Sequence, residues 1–128
     1  MNPRAAAKGP ISAIGQIAVT VKQLDRAVAF YRDVLGLPFL FEASKMAFFD
    51  CDGVRLMLGP AEDPDSNWNS IIYYKTDNIQ GSTELLTVRG VKFEARPRMI
   101  AKMPDHELWM AFFRDSEGNL AALLSEVR

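Results

Sequence analysis

Histidine and cysteine each occur once, so any chemistry that needs an imidazole or a thiol has a single candidate for it. His106 lies in Met103-Pro104-Asp105-His106-Glu107, which reads as an exposed loop. If it reached a cavity instead, its imidazole would suit a general base, because it titrates near neutrality. Glu126, near the end of the last apolar segment, is the other base candidate. Cys51 closes the run Phe48-Phe49-Asp50-Cys51-Asp52. A nucleophilic thiol needs a base or positive charge nearby, and these neighbours are acidic, so Cys51 reads as a small buried side chain near a strand end. Three more side chains carry ligand-binding chemistry. Arg55 could attract an anion, Tyr73 offers a ring with a polar tip, and Trp109 could stack on a planar molecule.

These residues must be held by regular elements, and the chain supplies them in a repeating order. Ile14 to Val21 is β-branched and partly alternating, as a strand requires. Asp25 then reads as an N-cap, and Ala27, Phe30, Tyr31, Val34 and Leu35 recur at helical spacing until Gly36 and Pro38 end the helix. Strands follow at Phe39 to Ala43, Met46 to Cys51 and Val54 to Leu58, with Asp52-Gly53 as the last turn. After a polar stretch the order recurs: strand Ser70 to Thr76, capping residues Asp77-Asn78, and helix Ile79 to Arg89. Strands at Val91 to Arg96, Leu108 to Arg114 and Leu120 to Glu126 complete it, with Glu117-Gly118 matching Asp52-Gly53. Setting Leu24 against Ile79 gives an offset of 55 residues, and setting Gly53 against Gly118 gives 65. The ten extra residues fit an extended segment at Pro97 to Glu107. The pattern is an internal duplication of a βαβββ unit, an α+β fold with a largely antiparallel sheet. We divide the chain into a flexible leader at 1–12 and a single domain at 13–128, composed of module one at 13–59, a linker at 60–69 and module two at 70–128.

Bulk properties narrow the function. At 128 residues the chain has the size of one compact domain. A net charge of −1 with scattered Lys and Arg argues against nucleic acid as a partner, since phosphate binding needs clustered positive charge. The single cysteine forms no internal disulfide, and no segment approaches the roughly 20 apolar residues of a membrane span, so a cytoplasmic protein is expected.

Leu24-Asp25-Arg26-Ala27-Val28-Ala29-Phe30-Tyr31-Arg32-Asp33-Val34-Leu35-Gly36-Leu37 resembles the first helix of the vicinal oxygen chelate superfamily. This is the group of glyoxalases, bleomycin resistance proteins and extradiol dioxygenases. Phe112-Phe113-Arg114-Asp115-Ser116-Glu117-Gly118-Asn119 resembles its closing turn, with Ser116 where the family usually has proline. The resemblance runs from about Ile14 to Val127. It implies paired βαβββ modules forming a curved mixed sheet around a small-molecule cavity, commonly in a homodimer.

Metal-dependent relatives place His, Gln or Glu ligands on the first and last strands of each module. Carried over, those positions fall on Gln16, Met57, Ile71 and Ala122. Gln16 alone offers a donor for a hard or borderline ion, because methionine prefers soft metals. No metal and no cofactor are therefore expected, and a rearranged Gln16, His106 and Glu126 site is the remaining way to hold an ion. Gln16, Arg55, Met57, Ile71, Tyr73, Trp109 and Ala122 are the expected ligand-binding residues. The resemblance then leaves three functions in order: a metal-free binding protein that sequesters an antibiotic or other toxic compound, a metal-free isomerase or lyase using His106 or Glu126, and a metal-dependent lyase or dioxygenase.

Overall fold

A computed structural model describes residues 9–11, 13–61 and 69–128. Most of the expected leader and linker thus lies outside the described residues. Two four-stranded mixed sheets are each crossed by one helix, and the order β-α-β-β-β occurs twice.

In module one, β1 (Gln16–Thr20) pairs in parallel with β4 (Val54–Gly59), which runs antiparallel to β3 (Met46–Cys51), and that to β2 (Phe39–Ala43). The order across the sheet is β1-β4-β3-β2. Module two repeats it: β5 (Ile72–Lys75) is parallel to β8 (Leu120–Val127), then β7 (Glu107–Arg114) and β6 (Arg98–Lys102) follow antiparallel. Ser44 and Lys45, both at positive φ, turn β2 into β3, and Asp52 and Gly53 do the same between β3 and β4. Consecutive positive φ angles match the right-handed twist of the strands they join.

Four local expectations are corrected. The N-cap of α1 (Leu24–Ala29) is Gln23, not Asp25, and it makes no side-chain capping bond. The cap arrives instead from the other module: Glu117 accepts from the backbone amides of Lys22 at 2.7 Å and Gln23 at 3.1 Å. The first helix also does not stay α-helical, because Phe30–Val34 forms a π-helical turn closed by the Leu35 amide donating to the Phe30 carbonyl at 2.9 Å. The strand expected at Val91 to Arg96 is reduced to one bridge between Phe93 and Phe113. The second strand of module two is β6, inside the stretch read as an extra extended segment, and Met103 closes its hairpin by donating to the His106 carbonyl at 2.8 Å. Finally, Glu117-Gly118 does not copy the Asp52-Gly53 turn, since only Gly118 has positive φ. Asp115 explains the difference: its Oδ1 accepts from the amides of Glu117 and Asn119, each at 2.8 Å, and winds the chain around one carboxylate.

The second helix, α2 (Ile79–Val88), is capped by Asn78, whose Oδ1 accepts from the Gly81 amide at 3.0 Å. A Cβ at residue 81 would stand 2.8 Å from Asn78 Nδ2, so the capping side chain occupies the space that makes this glycine necessary.

Each helix covers one face of its sheet. Val19, Tyr31, Phe49, Leu56 and Leu58 belong to the core of module one, and Ile79, Leu86, Phe113 and Leu123 to that of module two. Phe30, Leu35 and Tyr74 pack against both cores and join them. A polar link runs beside this joint, where Tyr31 Oη donates to Asp115 Oδ2 at 2.7 Å, both residues being buried. Burial, with the neighbouring Tyr74 and Asp115 adding to it, pushes the Tyr31 phenol well above its ordinary range, so it remains a proton donor.

Candidate functional site

Strand alternation leaves each sheet a second face that no helix covers. On the first sheet this face follows from the core: Ile17, Val19, Leu56 and Leu58 point to the helix, so Gln16, Ala18, Arg55 and Met57 point away. Cross-strand register sets Ala18 and Phe48 beside Met57, with Phe41 opposite Phe48. Phe41 and Phe48 are stacked with ring centres 4.6 Å apart, and the Arg55 guanidinium lies 5.9 Å from the Phe48 ring centre. Gln16 Nε2 donates to Met57 Sδ at 3.7 Å.

The second sheet has the same layout. Tyr74, Ala111, Phe113 and Leu123 face the helix, which leaves Tyr73, Met110, Phe112, Ala122 and Leu124 on the open face. Tyr73 and Phe112 flank Ala122 in the register, and their rings meet edge to face at 5.9 Å, so the Ala122 methyl is fully covered. A cavity of about 370 Å³ opens beside them, with Met110 and Phe112 in its lining and Arg96, Arg98 and Arg114 around it. Arg114 is paired to Glu94 at 3.1 Å.

The residues expected from the sequence divide between these surfaces. Gln16, Arg55 and Met57 share the open face of the first sheet, and Tyr73 and Ala122 that of the second. Ile71, just before β5, is half exposed. Trp109 stands apart: it packs against the core of module two on the helix side, and its Nε1 donates to Glu107 Oε1 at 3.0 Å. The aromatic side chains of the open faces are Phe112 and Tyr73 on the second sheet and Phe41 and Phe48 on the first. The alternation of Trp109 and Phe113 against Met110 and Phe112 was visible, but both sets are apolar, so nothing local distinguished the inner one.

His106 and Glu126 are committed elsewhere. His106 Nδ1 lies 2.8 Å from Asp105 Oδ1, Arg128 pairs with Asp105 at 3.0 Å, and Glu126 pairs with Arg128 at 3.1 Å. The His106 contact and then the Arg128 bond hold the Asp105 carboxyl below its usual range. This network sits at the far end of the second sheet, and none of its contacts reaches Gln16.

The family's four metal positions hold one amide, one thioether and two hydrocarbon side chains. Gln16 is hydrogen-bonded to Met57, and Ala122 is sealed under two rings, so this donor set does not fit a hard divalent ion. Among the described residues, no group of three or more His, Cys, Asp or Glu side chains is placed to hold one. No described helix is long and apolar enough to cross a membrane.

The Cys51 thiol is raised above its ordinary pKa by burial, with Asp50 and Asp52 adding to the effect. It is a poor nucleophile at neutral pH.

Comparison with known proteins agrees with the fold. The model of the Glyoxalase/Bleomycin resistance protein/Dioxygenase superfamily matches residues 13–123. A superfamily member from Sphaerobacter thermophilus superposes with a TM-score of 0.75 at 25% identity, covering 91% of this chain and 98% of that one. The lactoylglutathione lyase of Agrobacterium tumefaciens gives 0.72 at 22% identity over 91% and 96% of the two chains. TnmS3, an antibiotic binding protein from Streptomyces sp. CB03234, gives 0.72 at 19% identity over 92% and 98%.

Proposed function

The chain belongs to the Glyoxalase/Bleomycin resistance protein/Dioxygenase superfamily, and from that premise we propose that it binds and sequesters a small planar compound without a chelated metal. The observation that carries this reading is the pair of open sheet faces, each with aromatic side chains at its centre and arginine at its border. Phe41, Phe48 and Met57 supply one apolar floor, and Tyr73, Met110 and Phe112 the other. Pockets for small molecules are mostly apolar, with a few convergent polar groups that orient the ligand. Gln16 offers such a group on the first face, with both donor and acceptor capacity.

Charge specifies the ligand further. Arg55 borders the first face, and Arg96 and Arg98 border the second. A planar compound with a negative charge fits both borders, because guanidinium pairs with carboxylate and stacks on aromatic faces. The likeness to an antibiotic binding protein supports an antibiotic or another toxic aromatic compound as the occupant.

A second copy of the chain completes the site. Phe41 is 46% exposed, Ile71 41% and Tyr73 45%, so each sheet leaves apolar surface to water in the isolated chain. Pairing two copies through these faces would remove that surface and enclose the ligand.

Calorimetric titration with a panel of planar aromatic acids tests this function. Binding at one site per chain, weakened at least tenfold by Phe112→Ala, is the expected result. Failure of the whole panel to bind rejects it. Stoichiometric Ni, Zn, Mn or Fe in protein purified without chelator, lost on Gln16→Ala, rejects the metal-free reading and favours a lyase or dioxygenase.

A further inference from the structure

Cross-strand register carries the open face of the second sheet out to both of its edges. Lys75 on β5 stands opposite Leu124 on β8, Leu124 opposite Met110 on β7, and Met110 opposite Arg98 on β6. These four residues form one row across the sheet, on the face away from α2. Partly buried Leu124 and Met110 are its middle, and exposed Lys75 and Arg98 are its two ends. The next row is Tyr73, Ala122 and Phe112, so two rings stand beside the apolar middle. Three strand spacings separate the ends, which puts the Lys75 and Arg98 Cα atoms about 14 Å apart.

The charges on this face divide by whether they already have a partner. Arg114 is bound to Glu94 at 3.1 Å and to the Gly118 carbonyl at 3.3 Å, and Glu126 is bound to Arg128 at 3.1 Å. Lys75 and Arg98 make no ion pair among the described residues. Neither does Arg96, which lines the cavity of about 370 Å³ together with Arg98. Unmatched positive charge therefore stands at two opposite edges of one apolar floor. The separation exceeds the Debye length of about 8 Å at physiological ionic strength, so the two ends act independently on a ligand. A monoanion satisfies one end and leaves the other to water. A body with an anionic group at each end satisfies both while its middle covers Leu124 and Met110.

We propose that the ligand of this face is an elongated planar dianion, lying over Leu124 and Met110 with one anionic group at Lys75 and the other at Arg98. The inference rests on the proposed function of this site and adds the number and placing of the ligand's charges. Guanidinium at one end and ammonium at the other both pair with carboxylate, and the Tyr73 and Phe112 rings border the planar body.

Three naphthalene acids test this by calorimetry on the full chain at pH 7 and low salt. Naphthalene-2,6-dicarboxylate carries its carboxylates at opposite ends, naphthalene-2,3-dicarboxylate carries both at one end, and 2-naphthoate carries one. The 2,6-isomer should bind about fivefold more tightly than either of the others, the gain from one further ion pair at the upper end of the exposed range. Lys75→Gln should bring the 2,6-isomer to within about twofold of 2-naphthoate, and Lys75→Arg should keep the preference. Lys75 is exposed, so both variants should keep the parental thermal midpoint. If Lys75→Gln does not fold, the double variant Arg96→Gln, Arg98→Gln removes the other end and must have the same effect. Equal affinity for the 2,6-isomer and 2-naphthoate, or for the two diacids, overturns the inference and leaves the planar-ligand reading standing. A preference that survives loss of either end overturns it as well. Failure of all three acids to bind overturns the inference together with the reading beneath it.

Discussion

Tyr31→Phe removes one oxygen from the centre of the molecule and tests what holds the two modules together. Tyr31 is 2% exposed, and its hydroxyl donates to Asp115 Oδ2 at 2.7 Å. Phenylalanine keeps the ring and its contact with Phe49, so the loss is confined to that bond. Asp115 is not orphaned by the change. Its Oδ1 still accepts two backbone amides, and Oδ2 still accepts from Asn119 Nδ2 at 3.0 Å. The cost is therefore that of one hydrogen bond to a charged acceptor, about 2 kcal/mol. Asp115→Asn should cost more, about 4 kcal/mol, because an amide NH2 must face buried donors and leaves roughly two of them without an acceptor. In the double variant one of those donors is already gone, so its cost should fall short of the sum of the two single changes by at least about 1 kcal/mol. Urea titration followed by fluorescence gives the three values, provided the slope m is unchanged. A Tyr31→Phe variant within about 0.5 kcal/mol of the parent, or strict additivity in the double variant, would refute the view that this bond couples the modules.

Two further outcomes follow from the same geometry. Burial pushes the Glu117 carboxyl upward, but the Lys22 and Gln23 amides and the Arg26 guanidinium outweigh it and hold the group below its ordinary value of 4.5. Its contribution is thus fully present above that value and lost as pH falls through the lowered one. Glu117→Gln should cost about 1 kcal/mol at pH 7, as for other N-cap losses, and the gap to the parent should close as pH falls from the ordinary carboxylate value through the lowered one, as read by urea titration across pH. Phe41→Glu places a charge on the half-exposed open face, and the proposed pairing predicts that sedimentation will show a dimer for the parent and a monomer for the variant; equal masses would remove the second copy from the proposed site.

Much of the fold was legible because alternation and turn chemistry are local. Phe39–Ala43 and Met46–Cys51 end where their hydrophobic runs end, and Asp52-Gly53 makes the turn its residue types require. What escaped is non-local. The amides before α1 are satisfied by Glu117, 94 and 95 positions away, so no reading of the helix alone finds the cap. The π-helical turn leaves the spacing of Phe30, Tyr31, Val34 and Leu35 unchanged, and apolar periodicity is blind to it. Strand β6 sits between Pro97 and Pro104 with two charged ends, features shared with a connecting loop. In the candidate site, Gln16, Met57, Tyr73 and Ala122 were reachable by register with a known pattern, whereas Phe112 needed a decision about which face is inside.

The two resembling motifs are joined physically as well as by likeness. Tyr31 and Arg26 on the helix bind Asp115 and Glu117 in the closing turn, so the most recognisable residues of the chain maintain the scaffold. They lie on the helix side of the sheets, away from the open faces. Substitution on the open faces therefore leaves the scaffold contacts untouched, which is how Met57 and Ala122 can stand where relatives carry ligands without loss of fold. Reversing those changes is a different matter for each residue. Met57 is partly accessible, but Ala122 has no exposed surface beneath Tyr73 and Phe112. A carboxylate at residue 122 would have to separate the two rings and enter a space without a compensating donor, at a cost of several kcal/mol. Aromatic packing over Ala122 thus closes this position to a carboxylate and keeps the centre of the face apolar.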